Sequence, residues 1–193
     1  MEGLNLIGTQ PFETKRCRVR PFKLGDSQYI FKNWAGDENA ARYSTRNAHK
    51  SVEESTAYCI AMMKASRSLD KFHWIIELTE TGEPIGEINV VDADIEKREA
   101  KINYALGEEW QGKGIMTEAF EAVLAYLIFV IGFDAVTAEF FTEDPMGGSV
   151  MESCGLKHIG TSQITLEQKG GITAEIQVYR ITKPEWYAKN IKV

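Results

Sequence analysis

Apolar and polar side chains alternate over residues 15–23 (KRCRVRPFK), the period of a half-buried strand. Gly25-Asp26 then opens a short helix over 27–35. A second helix is expected from Ser51, which stands three residues before Glu54 as in a capping box, with Tyr58, Met62 and Met63 at helical spacing. FHWIIELT (72–79) and PIGEINVV (84–91) are rich in β-branched and aromatic residues and flank the turn sequence ETGEP, which predicts a hairpin. AKINYAL (100–106) is the next strand. It is followed by a glycine-rich loop and a helix of about 18 residues to Gly132, apolar nearly all round and therefore packed on a sheet. A strand over 135–141, a short helix ending at Gly155, and two strands (157–167 and 174–181) around the Lys169-Gly170-Gly171 turn complete the pattern.

The predicted order is β-α-α-β-β-β-α-β-α-β-β. Strands cluster in the middle and at the end, while two crossovers carry helices. This is an α/β class with α+β character: a mixed, mostly antiparallel sheet of six to seven strands with helices on both faces. The 193 residues suit one domain, 1–193, with its core at about 15–186, and no linker or repeat interrupts them.

Composition narrows the partners. The formal net charge is −6 and no block of Lys and Arg occurs, so a nucleic-acid surface is not expected and a cationic partner would be welcome. Cys17, Cys59 and Cys154, like His49, His73 and His158, are scattered without metal-ligand spacing, so no metal site is expected and a reducing, cytoplasmic setting is. The start lacks the pattern of a signal peptide. The longest apolar run, 122–133, is 12 residues where a membrane span needs about 20, so no membrane partner is expected. Nothing fixes the oligomeric state; monomer and homodimer stay open.

The stretch Gly107-Glu-Glu-Trp-Gln-Gly-Lys-Gly114 carries the chemistry. Gly107, Gly112 and Lys113 fit the spacing of a P-loop, but position 114 is Gly where a hydroxyl must hold magnesium, and Glu108 and Glu109 would crowd an anion cradle. A dinucleotide loop is favoured by Gly112-Lys-Gly114 and by Asp134, 20 residues beyond Gly114, yet its third glycine position is Thr117. A third reading fits better. Gln111-Gly112-Lys113-Gly114-Ile115-Met116 resembles the Gln/Arg-x-x-Gly-x-Gly/Ala acetyl-CoA signature of the GNAT N-acetyltransferase superfamily. INYALGEEWQGKGIMTEA is similar to its ribosomal-protein-alanine (RimJ/RimL-like) branch. RVRPFKLGD, NAHKSVEES, VMESCGLKHIG and VYRITKPEW resemble further segments of that branch.

The resemblance implies the GNAT fold, acetyl-CoA as acetyl donor without a metal, and transfer to a primary amine through a tetrahedral intermediate. A helix N-terminus carries partial positive charge and unpaired N–H groups, and glycines let a pyrophosphate approach them. The cofactor residues it implies are Leu106, Gln111, Gly112, Lys113, Gly114, Ile115, Met116 and Thr117. Asp144 and Gly147 stand where the family has Asn and Ser, and Met151 where some members have a tyrosine acid. Met116 replaces a small residue, so its bulk either leaves the pantetheine channel or narrows it.

Acetyl transfer needs an N–H donor for the developing oxyanion and a route for the amine proton. By resemblance the donor maps to the backbone of Ala105 or Leu106. Candidates for the base are Glu87, Asp92 and Tyr104; Trp34, His49 and Trp74 are candidates for the acceptor pocket, core burial being the competing reading for the tryptophans. Two function classes follow: an N-acetyltransferase acting on a protein α-amine or small-molecule amine, and a GNAT-fold acyl-CoA-binding or regulatory module with little turnover, suggested by Asp144, Gly147 and Met151.

Overall fold

The computed structural model describes residues 3–144 and 147–191. Among the described residues eight strands form one sheet: β1 (Phe12–Glu13), β2 (Cys17–Arg20), β3 (His73–Leu78), β4 (Pro84–Asp94), β5 (Glu99–Leu106), β6 (Ala135–Phe141), β7 (Lys157–Leu166) and β8 (Ile172–Thr182). Their spatial order is β1-β2-β3-β4-β5-β6-β8-β7. Every neighbouring pair is antiparallel except β5 and β6. The sheet exceeds the expected six to seven strands because β1, two residues long, is too short to leave a periodic trace.

The helices are α1 (Ser27–Ile30, continued by a wider turn over Phe31–Ala35), α2 (Glu38–Arg42), α3 (Val52–Ala65), α4 (Ile115–Ala125, continued in the same wider form over Tyr126–Ile131), α5 (Gly147–Ser153) and α6 (Lys183–Asn190). Ser51 caps α3 through the Glu54 N–H (3.4 Å), but the Glu54 carboxylate reaches back to the Lys50 N–H (2.8 Å) rather than to Ser51. The last segment, expected as strand only, ends in α6, opened by a capping box in which Thr182 and Glu185 satisfy each other's backbone N–H groups.

Two apolar layers cover the two faces. On one face α4 lays Phe120, Val123, Leu124 and Leu127 onto a core containing Trp74, Ile88 and Ile102. On the other, Phe22, Ile30, Trp34 and Cys59 pack on Ile75 in a smaller core beneath α1 and α3. All three cysteines are free and buried.

The feature that makes a site is the end of the parallel ladder. β5 and β6 pair from Glu99↔Ala135 only as far as Ile102↔Ala138. Beyond that point β5 stays with β4 as far as Leu106↔Gly86, and β6 stays with β8 as far as Phe141↔Ile176. The sheet therefore parts into a wedge, lined on the β5 side by residues 103–106, with the glycine-rich loop and the N-terminus of α4 at its mouth.

Candidate active site

Gly112 and Gly114 take φ of +69° and +70°, a left-handed conformation that side-chain-bearing residues rarely adopt, and Gly114 opens α4. Side chains from distant segments hold the loop in this shape. The Gln111 amide donates to the Leu106 carbonyl (2.9 Å), and Arg16 donates from Nη1 to the Lys113 carbonyl (2.9 Å) and from Nε to Glu118 in the first turn of α4 (2.7 Å). The Gln111 N–H is spent on the Glu108 carbonyl (3.1 Å), so the amides that a pyrophosphate could use begin at Gly112. Lys113 is exposed. Ile115 and Met116 are 5% and 4% exposed and belong to the core, so the bulk of Met116 points away from the loop. Thr117 accepts a bond from the Cys154 thiol (3.6 Å), which burial pushes up to about 12, a structural rather than nucleophilic cysteine.

Ladder geometry decides which backbone amide faces the wedge. Directly opposed residues in an antiparallel pair alternate between bonded and non-bonded positions. Gly107 N–H donates to Ile85 O, so Ala105 and Glu87, two residues further along, also form a bonded pair and turn their amides toward each other. The Leu106 amide turns the other way, into the wedge. Of the two oxyanion candidates, Leu106 has the geometry and Ala105 does not.

Tyr104 lies on the α4 face, its ring edge-on to Phe120 (5.4 Å) and its hydroxyl donating to the Gly147 carbonyl (3.2 Å). Burial, and then the charge of Asp144, push this phenol well above its ordinary value, which disqualifies it as a base. Gly147 has a packing reason to be glycine: a Cβ there would collide with the Phe140 ring. Asp144 closes the preceding turn, with its N–H on the Phe141 carbonyl (2.8 Å) and its own carbonyl accepting from Gly147 (3.3 Å).

The opposite face carries a connected polar group around Glu87, which is 1% exposed. Its Oε1 accepts from Arg46 Nη2 (2.8 Å) and from the Tyr58 hydroxyl (2.9 Å); Asn89 donates to the same hydroxyl (3.3 Å), and His73 Nδ1 lies 3.2 Å from Asn89 Oδ1. The Arg46 guanidinium stacks over the Tyr58 ring at 4.5 Å. His49 packs edge-on to Tyr58 (5.6 Å) with Nδ1 2.7 Å from Ser55 Oγ, and burial followed by the Arg46 charge lowers its pKa. Two buried side-chain polar atoms among the described residues lack a partner: Glu87 Oε2 and the Trp34 indole nitrogen. Both lie on this face, because Trp34 packs in the smaller core with Ile75 and Ala105, the cross-strand neighbours of Glu87.

Two candidates fall away. Asp92 is exposed, opposite Lys101 and past the β-bulge, five residues along β4 from Glu87 and so roughly 16 Å away. Trp74 is fully buried between Phe72 and Tyr126 and donates its N–H to the Gln10 carbonyl (2.9 Å), so it belongs to the main core and not to a pocket. Sequence reading missed Arg16, Arg46 and Tyr58. Tyr58 was legible only as a helix position, and Arg46 sits in an irregular segment with no periodic signal. That segment is strapped to the β7–β8 turn, where Lys169 Nζ donates to the Ala41 carbonyl (2.6 Å) and Asn47 donates to the Gln168 carbonyl (2.7 Å).

Among the described residues no group of three His, Cys, Asp or Glu is placed to hold a metal, and no helix is long and apolar enough to cross a membrane.

A parted mixed sheet with a glycine-rich helix start at its mouth is the GNAT architecture, and residues 16–157 match the family model described as "Acetyltransferase (GNAT) domain". The chain belongs to this family and is an acetyl-CoA-dependent N-acetyltransferase. It is 25% identical over 172 residues to "Uncharacterized N-acetyltransferase YoaA" of Bacillus subtilis, a match covering 89% of this chain and 96% of that protein. The same fold occurs in the ribosomal-protein-S5-alanine acetyltransferase from Vibrio fischeri (TM-score 0.76, 16% identity, 92% of this chain and 98% of that one). It also occurs in the microcin C7 self-immunity acetyltransferase MccE, solved in complex with acetyl-CoA and AMP (TM-score 0.76, 17% identity, 87% and 93%).

Proposed function

We propose that the enzyme transfers the acetyl group to a primary amine, a protein α-amine or a small-molecule amine, by direct attack, with Glu87 receiving the amine proton. Acetyl-CoA supplies the acetyl group as an activated thioester. The loop amides from Gly112 onward and the positive end of α4 bind its phosphates, and the Leu106 N–H meets the oxygen on which charge develops.

The observation that carries this reading is the pairing of Glu87 with Ala105, next to the Leu106 amide. A carboxylate with one oxygen held by Arg46 and Tyr58 and the other without a partner has a lone pair available for an ammonium proton. An amine near pH 7 is mostly protonated, its pKa being about 8 for a terminal amine and about 10.4 for a lysine, so a proton acceptor is required before nitrogen can attack. Nitrogen then bonds to the carbonyl carbon, the carbon–sulfur bond breaks, and the leaving thiolate takes up the second proton shed by the nitrogen. Met151, buried where some relatives place an acid, has no proton to give. None is needed, because a thiol of pKa about 8.5 is a good leaving group.

Oε2 is sealed in this arrangement, so the amine enters by displacing the Arg46 side chain, which is 34% exposed and belongs to an irregular segment. Three free, buried cysteines fit a reducing, cytoplasmic site of action. The test is thiol release from acetyl-CoA with a panel of peptides and small amines, products identified by mass, for the wild type and Glu87→Gln. Turnover that survives Glu87→Gln unchanged removes Glu87 from the mechanism. Absence of turnover with every amine favours the acyl-CoA-binding module instead.

A further inference from the structure

The acceptor side poses a charge conflict that an amine without an anionic group does not resolve. Glu87 is a buried carboxylate already neutralised by Arg46, yet one of its oxygens is orphaned. A second cation brought to that oxygen would lie close to the guanidinium in a poorly solvated place, and the two positive charges would repel. A ligand that brings a cation to Glu87 must therefore carry an anion for Arg46. Arg46 has five N–H donors in a rigid fork, with one nitrogen on Glu87 and part of the side chain facing the outside.

Building on the proposed amine acetylation, we infer that the acceptor is a small amine carrying a carboxylate within a few bonds of its nitrogen, an amino-acid-like molecule, whose ammonium takes Glu87 while its carboxylate takes Arg46. The exchange conserves charge. One internal ion pair, Arg46 with Glu87, becomes two intermolecular ones, and neither buried charge is left uncompensated. The carboxylate accepts from the guanidinium in the bidentate geometry that suits planar partners. The irregular segment around Arg46 is anchored on both sides to the β7–β8 turn, Lys169 to Ala41 in α2 and Asn47 to Gln168, which fixes where the guanidinium is presented. Arg46 acts here as a specificity residue, and the sealed Oε2 is the closed state that a zwitterion opens.

Matched acceptors test this in the wild-type enzyme: glycine against glycinamide, β-alanine against β-alaninamide, and alanine against an alanyl peptide amide, each assayed by thiol release with product mass. The amide's amine gives up its proton more easily, so intrinsic reactivity favours the amide. We expect kcat/KM for the carboxylate member of a pair to exceed that for the amide by about tenfold or more, the size of one charge-assisted hydrogen bond. Arg46→Gln is expected to collapse the ratio toward unity, mainly through KM of the carboxylate acceptor, and Arg46→Lys to restore part of it. If Arg46→Gln does not fold, the wild-type ratio and Arg46→Lys still decide. Equal or better use of the neutral amides overturns the inference while leaving amine acetylation standing. No turnover with any member, while other amines of the wider panel are acetylated, also overturns it; no turnover with any amine at all, despite acetyl-CoA binding, removes the proposed acetylation as well.

Discussion

The Arg16 guanidinium donates to the Lys113 carbonyl at 2.9 Å, tying the residue just before β2 to a loop 97 residues later, while its Nε holds Glu118 inside α4. The loop that meets phosphate is therefore shaped by a side chain that never needs to touch phosphate. Arg16→Gln should weaken acetyl-CoA binding about 3- to 10-fold, as expected for one or two lost hydrogen bonds, with a melting temperature only a few degrees lower. Calorimetric titration beside thermal unfolding checks this, and unchanged affinity would mean that the loop holds its shape unaided.

Gly114 combines a φ of +70° with an exposed position at the first turn of α4. An added Cβ has room, since its nearest neighbour would be Arg16 Nη2 at 3.7 Å, but the backbone conformation costs an ordinary residue about 1–2 kcal/mol. Gly114→Asp should lose that much stability and most acetyl-CoA affinity. Gly114→Asn tolerates the left-handed backbone better and carries no charge, so it should bind more tightly than Gly114→Asp. Equal binding by the two variants would show that charge at this point is irrelevant.

Glu87→Gln should lower kcat by about 10²–10⁴-fold, the usual contribution of a positioned proton acceptor, while Asp92→Asn, far along the same strand, leaves it within a few-fold. Tyr104 stays protonated throughout the accessible range, so Tyr104→Phe should leave the pH profile in place. Initial rates across pH for the three variants discriminate. A profile shifted by Tyr104→Phe would return that residue to the list of bases.

Arg20 and Asp26 form a buried bidentate pair (2.7 and 2.8 Å), with Arg20 also on Glu77 (2.6 Å) and Asp26 accepting from the Lys23 N–H (2.7 Å). Each side chain is 5% exposed. Removing Asp26 leaves Arg20 with Glu77 as an anionic partner but strips its bidentate bond and the acceptor of the Lys23 N–H, so Asp26→Ala should cost about 1.5–3 kcal/mol in denaturant unfolding. A loss below about 1 kcal/mol would mean that water reaches Arg20.

His73 is 9% exposed, and burial lowers its pKa from the ordinary 6.5, against the opposing hydrogen bond it makes to Asn89 Oδ1. The folded state thus prefers the neutral ring and the unfolded chain takes up the proton first, so this contribution to stability is complete above about pH 6.5 and is lost as pH falls below it. Melting temperature should decline from pH 7 toward pH 5, and His73→Gln should flatten part of that decline. Parallel curves for the two proteins would assign the pH dependence elsewhere.

Local chemistry was legible in the sequence. Glycines at 112 and 114, the polar loop around them and the apolar helix behind them state their own conformations, because left-handed turns and helix starts are properties of a few adjacent residues. The α6 start was equally available in Thr182-Lys-Pro-Glu185, a capping box with proline in the first turn, and went unread because the strand before it dominated. What the tertiary structure decided was sidedness and pairing. Alternation along β4 and β5 says that Glu87 and Ile88, or Tyr104 and Ala105, point apart, but not which face meets α4, nor that Trp74 would be enclosed while Glu87 is shut beneath Arg46. The direction of the Leu106 amide depends on the ladder to β4, and the wedge exists because β5 and β6 keep different partners past Ile102 and Ala138. These relationships join residues tens of positions apart, and their energies come from burial and charge compensation, which no short window of sequence contains.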